Sequence, residues 1–127
     1  MDDSERRERG MKIRREVLGT AHVDRATQSA TDFTAPFQDL ITRYAWGEVW
    51  ARPGLSRHAR SLLTLAMTIA LNREEEFRLH LRAAINNGVT REEIQEVLIH
   101  SAIYCGVPAA NHAFQVAAEV LSESPSA

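Results

Sequence analysis

The fold is decided by residues 90–114, TREEIQEVLIHSAIYCGVPAANHAF, in which two helical patterns meet at a sharp break. Thr90 and Glu93 have the spacing of a capping box, which predicts that a helix begins here. Gly106 can adopt the left-handed conformation that ends a helix, and Pro108 suits the first turn of the next one. The stretch therefore predicts two consecutive helices joined by a very short turn.

Two stripes of side chains run along the first of these helices. The stripe expected to pack into a core consists of Ile94, Val97, Leu98, Ser101, Ala102 and Cys105. The second stripe consists of Glu93, Glu96, His100 and Tyr104. One face of the helix is thus predicted to pack, while the other offers titratable groups beside the only cysteine of the chain.

The length and composition favour one small domain. With 127 residues, of which 44% are hydrophobic, the chain is expected to form a single domain over residues 1–127. Residues 1–30 would form an N-terminal helix and loop, and residues 122–127 a frayed tail. Because a domain of this size buries a limited fraction of its surface, oligomerisation would help to stabilise it.

Charge and hydropathy exclude several classes of partner. A net charge of −2 gives no basic field for a nucleic acid or an anionic membrane. No apolar segment reaches the roughly 18 residues that a membrane span needs, and one cysteine cannot form an internal disulfide. The charged start has no apolar stretch behind it, which argues against a secretory signal. We expect a soluble, cytoplasmic protein.

Helical periodicity without sustained β-alternation predicts an all-α fold of about six helices. The first helix, 4–18, carries Gly10, which is expected to weaken its middle. Residues 19–31 and 45–55 are expected to be loops. The helix between these loops carries an apolar row predicted to join the core: Phe33, Phe37, Leu40, Ile41 and Tyr44. Further helices are predicted at 57–71, at 74–87, after Thr90 and from Pro108.

The segment AWGEVWARPGLS, 45–56, concentrates large and charged side chains: Trp46, Glu48, Trp50 and Arg52. Gly47, Pro53 and Gly54 interrupt it, which is typical of a loop. Tryptophan rings on a loop are costly to leave in water. They are therefore expected either to plug the end of the core or to wall a pocket.

Arg60 and His80 each admit a structural and a functional interpretation. Arg60 belongs to a narrow polar stripe that also includes Thr64 and Thr68. This stripe either faces solvent and bonds back to its own helix, or directs Arg60 to hold a carboxylate with two hydrogen bonds. His80 shares a face with Phe77 and Leu81, where an imidazole is either a core residue or a group that titrates near neutrality.

Cys105 is more readily interpreted as an inert, buried thiol than as a reactive one. The dipole of the following helix would acidify the thiol, but the chain contains no second cysteine to resolve an oxidised intermediate. The five histidines include no pair at the spacing that places two imidazoles on one metal ion from one helix. No metal site is predicted.

Four segments in order resemble the carboxymuconolactone decarboxylase family of the alkylhydroperoxidase-D-like superfamily. They are YAWGEVWARPGL at 44–55, RSL at 60–62, HLRAAINNGVT at 80–90 and YCGVPAA at 104–110. The resemblance spans roughly residues 35–121. It implies the alkylhydroperoxidase-D-like helical fold, a ring-shaped homo-oligomer (a hexamer or a trimer) and no cofactor.

The resemblance also implies an activity, the decarboxylation of 4-carboxymuconolactone to the 3-oxoadipate enol-lactone. This is a step of the bacterial β-ketoadipate pathway, an aromatic catabolism that breaks down protocatechuate. The substrate is a dianionic lactone whose ring carries electrons to the lactone carbonyl when CO₂ leaves. The reaction needs a donor at that oxygen, an acid that reprotonates carbon, and a dry surface against the leaving carboxylate.

In this context we expect His80 to be the proton donor, with Glu48 orienting or charging the imidazole. Arg52 or Arg60 would hold the retained acetate, because the guanidinium fork matches a carboxylate. The dry walls would be supplied by Trp46, Trp50 and Tyr104. His100 and Cys105 are expected in the wall or just behind it, with Cys105 as the less favoured proton donor.

The redox branch of the superfamily is similar around Glu93, Cys105 and His112, but Pro108 stands where that branch has a second cysteine. This departure removes the disulfide couple. Two alternatives to the decarboxylase remain: a thiol-dependent peroxidase or reductase that uses Cys105, and a non-catalytic oligomer that binds small acids.

Overall fold

A computed structural model describes residues 1–123, which are helical without any strand and so confirm the all-α prediction. Seven α-helices and one π-helix occur among these residues, where the sequence predicted about six helices. In chain order they are α1 (Asp3–Leu18), α2 (Thr20–Gln28), α3 (Ala35–Ile41), the π-helix (Thr42–Val49), α4 (Arg57–Ala70), α5 (Glu74–Asn86), α6 (Arg91–Tyr104) and α7 (Val107–Glu123).

The chain forms two compact units, which we call the N-terminal unit (Met1–Arg57) and the C-terminal unit (His58–Ala127). A single domain over residues 1–127 stays a prediction. The predicted tail overlaps the end of α7, which includes Ser122 and Glu123, and residues 124–127 lie outside the described part of the chain. None of the helices among residues 1–123 is long and apolar enough to cross a membrane.

The predicted loop at 19–31 is wrong over most of its length, because residues Thr20–Gln28 form α2. Gly19 has a φ of 93°, a conformation that glycine adopts at little cost, and it ends α1 and precedes α2 directly. Val23 is fully buried, and Arg15 binds Asp24 with an N–O distance of 2.6 Å. One buried valine and one ion pair thus tie this polar helix to α1.

The predicted loop at 45–55 is also wrong as far as Val49, because α3 continues into the π-helix. The Trp50 amide donates to the Ala45 carbonyl at 2.9 Å, which is the i to i−5 bond of π-winding. The apolar row predicted with α-helical spacing does not face a core, since Phe33, Phe37, Leu40 and Tyr44 are all exposed. The buried residues of the π-helix are Thr42, Trp46 and Gly47.

Two glycines allow α1 to lie directly against the π-helix. A Cβ atom at Gly10 would overlap the Thr42 carbonyl oxygen, and one at Gly47 would overlap the Arg6 carbonyl oxygen. Arg9 also donates to the Gly47 carbonyl, with its Nε at 2.9 Å. Gly10 therefore does more than weaken a helix, because its missing side chain lets two backbones approach.

Polar contacts complete this interface between α1 and the π-helix. Arg14 is buried and donates to Thr42 Oγ1 at 3.2 Å and to Gln38 Oε1 at 3.0 Å. Burial lowers the pKa of Arg14, because desolvation disfavours its charged form. A buried guanidinium needs such acceptors, and the neighbouring helices provide them.

Helices α4, α5, α6 and α7 of the C-terminal unit share one apolar core, which includes Leu65, Leu81, Ile94, Leu98, Val116 and Val120. The expected capping box at the start of α6 is present, with Thr90 and Glu93 bonded in both directions. Gly106 has a φ of 104°, and Pro108 is the second residue of α7. The helix–break–helix prediction is confirmed in each of these details.

Candidate active site

In the N-terminal unit, the predicted site residues occupy the π-helix and the turn that follows it. The rings of Trp46 and Trp50 stack with their centroids 5.1 Å apart and an interplanar angle of 29°. Trp46 is buried and Trp50 is half-buried. Glu48 and Arg52 form an i,i+4 ion pair with an N–O distance of 3.3 Å. Four side chains expected at the site therefore lie in two adjacent pairs.

The Glu48–Arg52 ion pair is more exposed than the stacked Trp46 and Trp50 rings. The side chains of Arg52 and Glu48 are 64% and 41% exposed, so solvent screens the attraction between them. Such a pair opens at little cost, and an arriving carboxylate can then compete for the guanidinium. The predicted role of Arg52 as a carboxylate ligand stays a prediction, and Glu48 has a partner other than an imidazole. Its predicted role beside His80 stays a prediction.

In the C-terminal unit, Arg60 and His80 lie half-buried on α4 and α5. Asn87 Nδ2, just after α5, donates to the buried Ser61 hydroxyl on α4 at 3.1 Å. This bond joins the start of α4 to the end of α5. The helices that carry the two candidate side chains are therefore fixed to each other by a partly buried polar contact as well as by the core.

The threonines of the Arg60 stripe bond back to their own helix, as one of the two interpretations expected. Thr64 Oγ1 donates to the Arg60 carbonyl at 2.8 Å, and Thr68 Oγ1 donates to the Thr64 carbonyl at 2.8 Å. These bonds involve the Arg60 carbonyl and not its guanidinium. The threonines of the stripe therefore have a structural explanation, and the role of Arg60 as a carboxylate ligand stays a prediction.

His100 and Tyr104 stack at the exposed end of α6, with ring centroids 4.9 Å apart. His100 also lines a groove of about 460 Å³ between α4 and α6, whose apolar floor includes Leu62, Leu63 and Val97. Its rim carries Glu92, Glu93 and Glu96. Three carboxylates repel a dianion, so this groove by itself is a poor place for a dicarboxylate.

Cys105 follows α6 and is half-buried against the core of the C-terminal unit. Glu93 lies near the other end of α6, about 18 Å away along the helix axis at 1.5 Å per residue. The Glu93 carboxylate accepts a hydrogen bond from the Thr90 backbone and pairs with His58 at 2.8 Å. Both contacts lower its pKa, the backbone bond most strongly.

His112 is the third of the residues that resemble the redox branch of the superfamily, after Glu93 and Cys105. It pairs with Glu74 at 2.6 Å. The resembling residues Glu93 and His112 thus each have a different partner, His58 and Glu74. Reasoning from the sequence missed both pairs, because each joins residues more than 30 positions apart on different helices. Among residues 1–123, no three or more histidine, cysteine or acidic side chains converge in a way that could hold a metal ion.

Comparisons with known proteins agree with this architecture. The profile of the carboxymuconolactone decarboxylase family matches residues 35–119. A 4-carboxymuconolactone decarboxylase of Acinetobacter baylyi is 50% identical over 123 residues, covering 97% of this chain and 92% of the relative. A nitrosuccinic acid decarboxylase of Metarhizium robertsii is 49% identical over 114 residues, covering 90% of this chain and 80% of the relative.

A third relative, a 4-carboxymuconolactone decarboxylase of Pseudomonas putida, is 50% identical over 48 residues, which is 38% of this chain and the whole of that sequence. The helical fold, with α4 to α7 around one core, defines a small all-α protein. The chain belongs to the carboxymuconolactone decarboxylase family.

Proposed function

We propose that the protein is a carboxy-lyase that converts 4-carboxymuconolactone and one proton into CO₂ and the 3-oxoadipate enol-lactone, a step of protocatechuate breakdown by the β-ketoadipate pathway. The observation that carries this proposal is the 50% identity to a decarboxylase of that substrate over 97% of the chain. Release of CO₂ from freshly prepared 4-carboxymuconolactone tests it directly.

Binding of the substrate requires at least one cation for the acetate arm that the product keeps. Arg52 and Arg60 are the candidates on this chain, because each offers a guanidinium that can form two parallel hydrogen bonds with a carboxylate. Arg52 is exposed and paired with Glu48, and Arg60 is half-buried on α4. The half-buried position favours Arg60, since the same charge attracts a carboxylate more strongly where water is excluded.

The chemical step moves one electron pair and one proton. When the ring carboxylate leaves as CO₂, its bonding pair moves through the ring double bond to the lactone carbonyl oxygen. The resulting oxyanion returns the pair to ring carbon, which takes a proton from His80. His80 suits this role because an imidazole releases and regains a proton near neutral pH. A dry surface against the leaving carboxylate would complete the site.

A second candidate substrate follows from the relative that acts on nitrosuccinic acid, which is 49% identical. Nitrosuccinate and 4-carboxymuconolactone share a chemical pattern. Each loses CO₂ from a carbon whose electrons pass to an acceptor already in the substrate, a nitro group or a conjugated lactone, and each keeps a second carboxylate. The same arginine and acid would serve both substrates, so nitrosuccinate belongs in the same assay.

Homo-oligomer formation is part of the proposal and is supported by the surface of the C-terminal unit. Large apolar side chains are exposed along α4 and directly after its end: Leu63, Met67 and Leu71. A second exposed group lies around the break after α6: Ile99, Ile103, Tyr104 and Val107. Contiguous apolar surface of this kind marks interaction sites. The hexameric or trimeric state and the cytoplasmic location stay predictions.

Replacing Cys105 with serine separates decarboxylation from thiol chemistry. We expect kcat for decarboxylation to stay within about threefold of the original value, because in this account the thiol packs against the core and transfers no proton. The measurement is CO₂ release by the purified variant, with peroxide reduction by an external thiol measured in parallel. A folded variant that had lost decarboxylation would place Cys105 in the mechanism instead.

A further inference from the structure

A second cleft of the C-terminal unit lies where the turn between α4 and α5 meets the start of α7. Its volume is about 320 Å³, which is within the range of small-molecule sites in proteins. Its floor is apolar and includes Ile69, Phe77 and Ala113, all of them buried. None of the residues assigned above to decarboxylation lines it.

The polar side of this cleft contains an ordered carboxylate–imidazole pair. Glu74 Oε1 and His112 Nε2 lie 2.6 Å apart, and Glu74 Oε2 accepts from Arg78 Nε at 3.4 Å. These partners, His112 first, lower the pKa of Glu74, so that its carboxylate is ionised at neutral pH. An ionised carboxylate only accepts hydrogen bonds, and therefore His112 Nε2 carries the proton that it donates to Glu74.

This arrangement fixes which atom of His112 remains for a ligand. With Nε2 held by Glu74, the other ring nitrogen, Nδ1, is left to bind, and it donates a hydrogen bond when the ring is charged. Among the described residues that line the cleft, Glu74 is the one carboxylate, and it pairs with His112 and with Arg78. Arg78 also pairs with Glu119 at 2.7 Å, so that it is fixed between two carboxylates.

Arg73 supplies a further cation at the same cleft. Among residues 1–123 its guanidinium forms no ion pair or hydrogen bond. Its backbone is fixed, because the Arg73 amide donates a hydrogen bond to the Thr68 carbonyl at 2.9 Å. The preceding residue, Asn72, has a φ of 57°. The cleft therefore combines an apolar floor, a guanidinium and an oriented imidazole.

We propose that this cleft binds a small organic carboxylate, with the carboxylate between Arg73 and His112 and the carbon chain against the apolar floor. The charge distinguishes it from the groove between α4 and α6, whose rim carries three glutamates around His100, one of which, Glu93, pairs with His58. A carboxylate forms charge-assisted hydrogen bonds with a guanidinium, and also with an imidazole ring when that ring is protonated. The apolar floor selects acids with a few methylene or vinyl carbons over inorganic anions.

Adipate is a suitable probe, and its uncharged diamide, adipamide, is the matched control of the same shape. We would label the histidine rings of the full chain with ¹⁵N and follow their NMR signals during titration, assigning His112 from the spectrum of His112→Gln. The expected result is a saturable shift of the His112 ring signals with adipate and none with adipamide. Arg73→Gln should raise the Kd for adipate by about tenfold or more, since a hydrogen bond to a charged group is lost.

Arg82→Gln is the matched control variant. Arg82 lies on the same helix, α5, and pairs at the surface with Glu123, away from the cleft. The Arg82→Gln protein should bind adipate with an unchanged Kd. Equal shifts with adipamide, an unchanged Kd in Arg73→Gln, or an equal loss in Arg82→Gln would each overturn the proposal. Because binding is read from ring signals, the result does not depend on whether the protein decarboxylates the lactone.

Discussion

Replacing His80 with alanine should lower kcat for decarboxylation by about 10² or more, the contribution typical of a positioned general acid. The imidazole is half-buried on α5, whose end is joined to α4 by the Asn87–Ser61 hydrogen bond. Loss of the side chain leaves the reprotonation of carbon to water, which the site is expected to exclude. KM should change much less than kcat, because the acid acts on the intermediate and not on the bound substrate.

His58→Ala is the matched control for this experiment. His58 is also in the C-terminal unit, and its imidazole pairs with Glu93 at the surface. Since exposed pairs of this kind contribute little, this variant should keep its fold and its kcat. A His80→Ala protein with the helical content of the original and a near-normal kcat would remove His80 from the mechanism.

Replacing Gly10 with alanine should destabilise the N-terminal unit by about 2 kcal/mol or more. Alanine favours a helix over glycine by up to about 1 kcal/mol, which taken alone would stabilise α1. Against this, the new methyl group would overlap the Thr42 carbonyl oxygen, and a backbone atom cannot turn away as a side chain can. Overpacking of this kind costs about 1–3 kcal/mol, and contact with backbone places it at the upper end.

Urea unfolding followed by tryptophan fluorescence measures this effect, because both tryptophans belong to the N-terminal unit, at 46 and 50. The midpoint should fall by roughly 1 M, given slopes of about 1–3 kcal/mol per molar urea. Gly54→Ala is the matched control, since a Cβ there meets no atom within 4 Å. Equal midpoints for the two variants would show that α1 and the π-helix do not pack as closely as described.

The C-terminal unit could be predicted from its sequence because its signals are local. The capping box at Thr90, the glycine at 106 and the proline at 108 lie within a few residues of the helix ends that they determine. Apolar residues at α-helical spacing then identified the buried faces, as for Leu81 on α5 and Leu98 on α6. Short-range capping and periodicity were sufficient for the helix ends and the main buried positions of this half of the chain, but not for its ion pairs.

The N-terminal unit could not be predicted in the same way, because its structure depends on contacts distant in sequence. The π-helix begins at Thr42, where α1 approaches through Gly10, more than 30 residues earlier. No local pattern indicates π-winding, and the apolar row that was expected in the core is mostly exposed, at Phe33, Phe37, Leu40 and Tyr44. The segment around Gly47 was expected to be a loop, since glycine usually interrupts helices, whereas here it permits close packing.

The candidate site was predictable in its residues but not in their pairings. The sequence drew attention to both tryptophans, to His80 and to the two arginines through composition and through resemblance. It did not reveal that Glu48 pairs with Arg52, or that Glu74 holds His112. The first pair has helical spacing inside a segment expected to be a loop, and the second joins α5 to α7.

The most direct test of the proposed decarboxylase function is CO₂ release by the purified full chain from freshly prepared 4-carboxymuconolactone, with nitrosuccinate assayed beside it. We expect enzyme-dependent release of one CO₂ per lactone and appearance of the enol-lactone, with a higher kcat/KM than for nitrosuccinate. If nitrosuccinate were the faster substrate, the protein would still be a decarboxylase, but its proposed substrate would be nitrosuccinate and not the lactone. Folded protein that releases no CO₂ above the uncatalysed rate from either acid would contradict the account.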